Sequence, residues 1–177
     1  MARENVPVPT CALCPCHLIF SGETPVHQNG VTMHSGERYC TGFKKARRFQ
    51  RGDPKVYVPS WCPKRKTPCE LRVYCFKSEH EAWLHNRLSL DMGRTISPEA
   101  RRYAVLYELE TDLTPKEFWN RCNRESDAAV VGAAVHRYYV VEVDDGIAPV
   151  CFYKTGDGYT VIRDFDTEIA RKNVRQT

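Results

Sequence analysis

The sequence predicts an α+β protein in two packed parts: a cysteine-rich N-terminal module over about 1–77, then helices and a three-stranded antiparallel β-meander over 78–177. Three observations carry this expectation. Seven of the nine cysteines lie between Cys11 and Cys75. From Ser78 onward, helix-start signals recur ahead of apolar stretches. After about residue 135 the chain turns to Val, Tyr and Phe, broken at Asp145-Gly146 and Gly156-Asp157-Gly158, the pattern of short strands joined by tight turns.

A chain of 177 residues buries roughly 70% of its unfolded surface, enough for a sizeable core. Its net charge of +4 hides an asymmetry. Residues 1–90 carry 14 Lys and Arg against 7 Asp and Glu, and the remainder 12 against 15. A polyanion would therefore meet the N-terminal half first. Met1 to Thr10 has no apolar core, so no secretory signal is expected there. The longest uncharged apolar run, Ala128 to Val135, is well short of the ~20 residues that span a bilayer. The expected setting is a reducing cytoplasm without membrane contact, where cysteines serve as metal ligands or packed thiols more often than as disulfides.

Met1 to Thr10, with Pro7 and Pro9, reads as an extended lead-in. Strands are expected at His17 to Phe20 and Thr24 to His27, with Val31 to His34 returning across Asn29-Gly30, a hairpin dipeptide. Phe43 to Arg51 reads as a short basic helix stopped by Gly52-Asp53-Pro54. Leu71 to Phe76 alternates as a strand does. Ser78 and Glu81 open a helix through Met92 with Trp83, Leu84, Leu88 and Met92 as its apolar stripe. Ser97-Pro98-Glu99 signals a second helix, with Ala100, Tyr103, Ala104, Tyr107 and Leu106 as its stripe. Thr114-Pro115-Lys116-Glu117 signals a third through Asn123, and Asp127 to Ala134 a short fourth. Strands follow at Val135 to Val143, Pro149 to Lys154 and Tyr159 to Arg163, and Asp164 or Asp166 caps a last helix through Arg171.

A structural zinc ion takes four Cys or His ligands in a tetrahedron. Cys11 and Cys14 form a CxxC, whose two thiolates can converge on one ion. Cys40 and Cys62 each sit in a turn and complete the preferred set for a structural Zn²⁺. A rival set is Cys11, Cys14, His34 and Cys40. Cys16 competes for a place, and Cys69 with Cys75 offers a second site. Against all of these stands a plain set of buried reduced thiols, the reading that also fits Cys122 and Cys151.

Two basic runs flank these cysteines: Lys44, Lys45, Arg47, Arg48 and Arg51, then Lys64, Arg65 and Lys66. With Phe43 and Phe49 interleaved, the first suits phosphate pairing and base stacking. A solvated basic face with both rings anchored in the core fits equally. The CxxC, the lone Cys40 and the Trp61-Cys62-Pro63 turn among basic residues resemble the small zinc-finger proteins of phages and mobile elements, over about the first 77 residues. That resemblance implies an accessory role: nucleic-acid contact, or inhibition of a host system such as a CRISPR effector.

Catalytic patterns are missing. His80-Glu81 is followed by a histidine at 85, so the two rings stand about 140° apart on a helix and cannot share an ion as HExxH histidines do. There is no phosphate loop, no deaminase HxE with PCxxC, and no acidic residue two before Lys154. Tyr138, Tyr139, Phe152, Tyr153 and Tyr159, beside Glu142, Asp144 and Asp145, offer a protein-binding face if they are not packed under the helices. The expected function is non-enzymatic binding of DNA or RNA through the basic surface, with binding and blocking of a protein or ribonucleoprotein target as the alternative.

Overall fold

The computed structural model describes residues 10–54, 57–133 and 136–175. The expected lead-in before Thr10, Val56 and the Ala134–Val135 junction lie outside them. The fold is α+β, with four α-helices and antiparallel sheets among the described residues. The chain divides between Arg65 and Lys66 into two compact units, ahead of the boundary expected near residue 77.

The smaller unit holds β1 (His17–Ile19), β2 (Val26–Gln28), β3 (Val31–Met33), β4 (Arg38–Cys40) and β5 (Arg47–Arg48). β2 and β3 pair across Asn29 and Gly30, both at positive φ (51° and 72°), the twist a two-residue hairpin requires. β4 lies between β1 and β5. Met33, Tyr39 and Ala46 form a small core with Leu18, Phe20 and Val31 packed against it.

The basic helix expected over 43–51 does not form. Its backbone donors are spoken for elsewhere: the Ala46 amide donates to Asn29 O and the Phe49 amide to Arg38 O, both at 2.9 Å. Two residues pair with β4 as β5. The spacing of Phe43, Ala46 and Phe49 imitates a helix, yet extended pairing buries Ala46 and Phe49.

The larger unit is a five-stranded antiparallel sheet of β6 (Cys69–Phe76), β7 (Tyr103–Thr111), β8 (Val140–Asp144), β9 (Val150–Thr155) and β10 (Gly158–Ile162), ordered β10-β9-β8-β6-β7. The last three strands run side by side in sequence order, as three of the five in this sheet. β6 lies between β8 and the edge strand β7, and period-two alternation sends its residues to two covered faces. On one face Leu71, Val73, Val141, Val143 and Phe152 pack with Phe118, Cys122, Val130 and Val131, from α2 (Pro115–Cys122) and α3 (Asp127–Val131). On the other, Tyr74, Tyr103, Val140, Cys151 and Tyr153 pack with Phe165 and with Ala170 of α4 (Thr167–Lys172).

α1 (Glu79–Asp91) starts at Ser78, whose hydroxyl accepts from the Glu81 amide. α2 starts with a complete capping box between Thr114 and Glu117, and Asp166 caps α4. α3 ends at Gly132 in the left-handed conformation. Two expectations are corrected. The stretch after Ser97-Pro98-Glu99 makes one 3-10 turn (Ala100–Arg102) and then becomes β7, because its alternating Tyr, Val and Leu residues complete the free side of β6. A bulge at Val73/Tyr74, where the partners step from Tyr107 to Val105, adjusts the register. Most of the expected stripe of α1 faces outward: Trp83, Leu88 and Met92 are exposed and Leu84 is half-buried, while His85 and Ser89 are buried. Among the described residues, no helix is long and apolar enough to cross a membrane.

Candidate functional site

The thiols of the smaller unit arrive from separate segments. Cys11 opens a 3-10 turn (Cys11–Leu13) whose carbonyl accepts from the Cys14 amide at 2.9 Å. Cys40 ends β4. Cys62 sits in a second turn, its amide donating to Pro59 O and its carbonyl accepting from the Arg65 amide.

These sulfurs are electrostatic neighbours. Burial, then the thiols of Cys62, Cys14 and Cys40, push the Cys11 thiol up. Burial also pushes Cys40 up; the Gly42 amide, bonded to its sulfur, opposes this, and Cys62, Cys16 and Cys14 reinforce it. Cys14 goes the other way. Partial burial raises it, but the Cys16 amide and the Lys64 ammonium outweigh burial and hold it below the ordinary thiol value. Lys64 Nζ donates to Cys14 Sγ at 3.6 Å. Gly42 lies against these sulfurs: a Cβ there would stand 3.2 Å from Pro63 Cγ and 3.5 Å from the sulfurs of both Cys16 and Cys40.

Cys11, Cys14, Cys40 and Cys62 thus share one neighbourhood, with Cys16 beside them. Among the described residues, no three His, Cys, Asp or Glu side chains are grouped so that they could hold an ion. The sulfurs are gathered but not closed around a point. The donors are soft thiols, the type that zinc takes; an amide N–H two residues on reaches the sulfur of both Cys14 and Cys40, and of the two only Cys14 is lowered, burial outweighing the amide at Cys40.

His34, of the rival set, is exposed after β3. Cys69 and Cys75 lie in the larger unit on one strand, six residues and so about 20 Å apart, too far to share an ion. Burial raises Cys75, as it does Cys122, pushed up to about 11. A histidine missed by sequence reasoning also lies close: His17 is the cross-strand partner of Cys40, and its buried Nε2 has no hydrogen-bond partner. Only the pairing of β1 with β4 brings it there.

The basic residues divide. Lys44, Lys45 and Arg51 are exposed. Arg47 is exposed with its guanidinium 4.3 Å above the Trp61 ring. Arg48 pairs with Glu37 at 2.7 Å. Arg65 donates to the Pro59 and Val58 carbonyls, both at 3.1 Å. Lys66 belongs to the larger unit, where Glu70 and Asp144 hold its ammonium at 2.9 and 3.1 Å. Of the two phenylalanines, Phe49 is buried and Phe43 half-buried.

In the larger unit, His80 is exposed beside Trp83, and His85 is buried with Nε2 2.8 Å from Tyr153 Oη. Phe152, Tyr153 and Tyr159 are buried, as are Glu142 and Asp145, so these rings and carboxylates serve the interior. No protein-family model matches the chain, and neither a curated protein nor a solved structure does.

Proposed function

We propose that the smaller unit is a zinc-stabilised, non-enzymatic module that binds nucleic acid. Cys11, Cys14, Cys40 and Cys62 hold the ion; Lys44, Lys45, Arg47 and Arg51 contact phosphate. What supports the reading is the approach of three segments far apart in sequence: Lys64, from the turn of Cys62, donates to Cys14 Sγ at 3.6 Å, and Cys62, Cys14 and Cys40 lie near enough to Cys11 to push its thiol up. A unit of this size, with a core built on Met33, Tyr39 and Ala46, gains from a cross-link that joins its turns, and zinc supplies one. The chain's own groups prepare the ligands: the Cys16 and Gly42 amides and the Lys64 ammonium offset thiolate charge. Residues 10–65 carry nine Lys and Arg against three Asp and Glu, an excess that attracts a polyanion.

A salt titration of the full chain against DNA and RNA tests this reading. Affinity should fall steeply with salt, and Lys44→Ala with Lys45→Ala should flatten the slope by roughly 0.7–0.9 for each phosphate no longer neutralised. No affinity for either polymer at low salt would overturn it.

A second reading, a protein that binds and blocks a protein or ribonucleoprotein target, is favoured by the outer face of α1. Trp83 and Leu90, one i,i+7 pair, are 59% and 77% exposed, and large apolar residues grouped in solvent suit a protein partner.

A further inference from the structure

We infer that the smaller unit takes single-stranded rather than duplex nucleic acid, with an unpaired base stacking on Phe43. This rests on the nucleic-acid reading above and narrows its substrate class. The major groove of B-DNA admits an α-helix or a two-stranded β-ribbon. Among the described residues of this unit, the one helical piece is the three-residue turn at Cys11–Leu13. The one isolated ribbon is β2 with β3, and residues 26–33 contain no Lys or Arg. The cations lie instead, exposed, on a non-helical stretch that bends at Lys44 and Lys45, pairs as β5 at Arg47 and Arg48 and turns at Arg51. That segment supplies a track for a strand but no element for a groove.

The same segment carries a ring at its head. Phe43 is half-buried, directly precedes exposed Lys44 and Lys45, and stands with its centroid 6.0 Å from that of Trp61. Trp61 is a fixed backing. Arg47 covers its ring, Phe49 meets it edge-on at 5.0 Å, and its Nε1 donates to Asp53 Oδ1 at 2.8 Å. Asp53 also accepts from the Gln50 amide at 2.7 Å, which fixes the loop beyond the cations. Phe43 has Trp61 as its ring partner, and no further ring packs on it among the described residues. A braced aromatic ring beside cations is how single strands are held without sequence preference, because every base offers a π-face.

The test compares labelled oligo(dT), oligo(rU) and a DNA duplex of equal length against the full chain at one salt concentration. Both single strands, or one of them, should bind about tenfold or more tightly than duplex. Phe43→Leu should weaken single-strand binding about tenfold while leaving the salt slope unchanged, and Phe43→Tyr should retain it. Circular dichroism of each variant reports folding, and the strand preference of the unaltered chain decides the matter if Phe43→Leu does not fold. Duplex bound as tightly as single strand, or a folded Phe43→Leu binding as the parent does, would overturn the inference with the broader reading intact. No binding to any of the three would overturn both.

Discussion

Lys64 Nζ lies 3.6 Å from Cys14 Sγ, fifty positions away in sequence. The hydrogen bond ties the first cysteine turn to the turn that presents Cys62, and the cation and sulfur shift each other: Lys64 is raised, Cys14 first, and Cys14 is lowered against its burial. A lysine that the sequence offers as a phosphate contact is thereby committed to the thiol cluster. Loss of an outer-shell partner typically costs 10–100-fold in metal affinity. Lys64→Ala should therefore weaken zinc binding about tenfold in competition with a chelator. Unchanged zinc affinity would show that the lysine serves solvent alone.

Cys14→Ser should remove one ligand and leave the smaller unit without its cross-link. Amide exchange across residues 10–65 should accelerate strongly, while residues 66–175, with their own sheet and two covered faces, keep their protection. Unchanged exchange over 10–65 would exclude a structural ion there.

Glu142 is fully buried, with Tyr74 Oη donating to it at 2.5 Å and the Arg171 guanidinium paired with it. Removing one member of such a group leaves uncompensated charge. Glu142→Ala should cost about 3–5 kcal/mol in urea unfolding. Glu108, which pairs with Arg72 from a largely exposed position, should cost below about 1 kcal/mol when changed to Ala. Equal costs would show that burial of this network has no energetic weight.

His85 gives the larger unit a dependence on pH. Burial, then Arg102, hold its imidazole below the ordinary value, with Glu99 opposing. The unfolded chain then binds the proton more readily than the folded one. Stability is full above about pH 7 and is lost as pH falls below about 6.5. Unfolding in urea at pH 7.5 and pH 5 should show this loss, and His85→Gln should reduce it. An identical loss in the variant would place the titration elsewhere.

Features set by interactions a few residues long are legible in the sequence. Ser78, Thr114 and Asp166 each cap their own helix three residues on, and Asn29-Gly30 sets its hairpin by backbone conformation alone. What depends on a distant partner is not. Ser97-Pro98-Glu99 starts a turn as its residues dictate, but Tyr103–Thr111 becomes strand because β6 has an open side. On α1, His85 displaces Trp83 and Leu88 from the interior because the covered face offers Tyr153 as a hydrogen-bond partner, which hydrophobic periodicity does not register. The same holds for the candidate site. The turns at Cys11–Cys14, Cys40 and Cys62 mark these residues in sequence, whereas His17 needs the register of β1 on β4. Lys66 and Arg48 read as free cations until the carboxylates that hold them are in place.

The most direct measurement is the metal content of the purified full chain, read by mass spectrometry under native conditions beside that of Cys40→Ser. The parent should carry about one zinc per chain, with Cys11, Cys14, Cys40 and Cys62 shielded from alkylation until a chelator is added, and the variant should carry little. A parent free of metal after purification with zinc supplied, with all its exposed thiols reacting at once, would contradict the zinc-stabilised module.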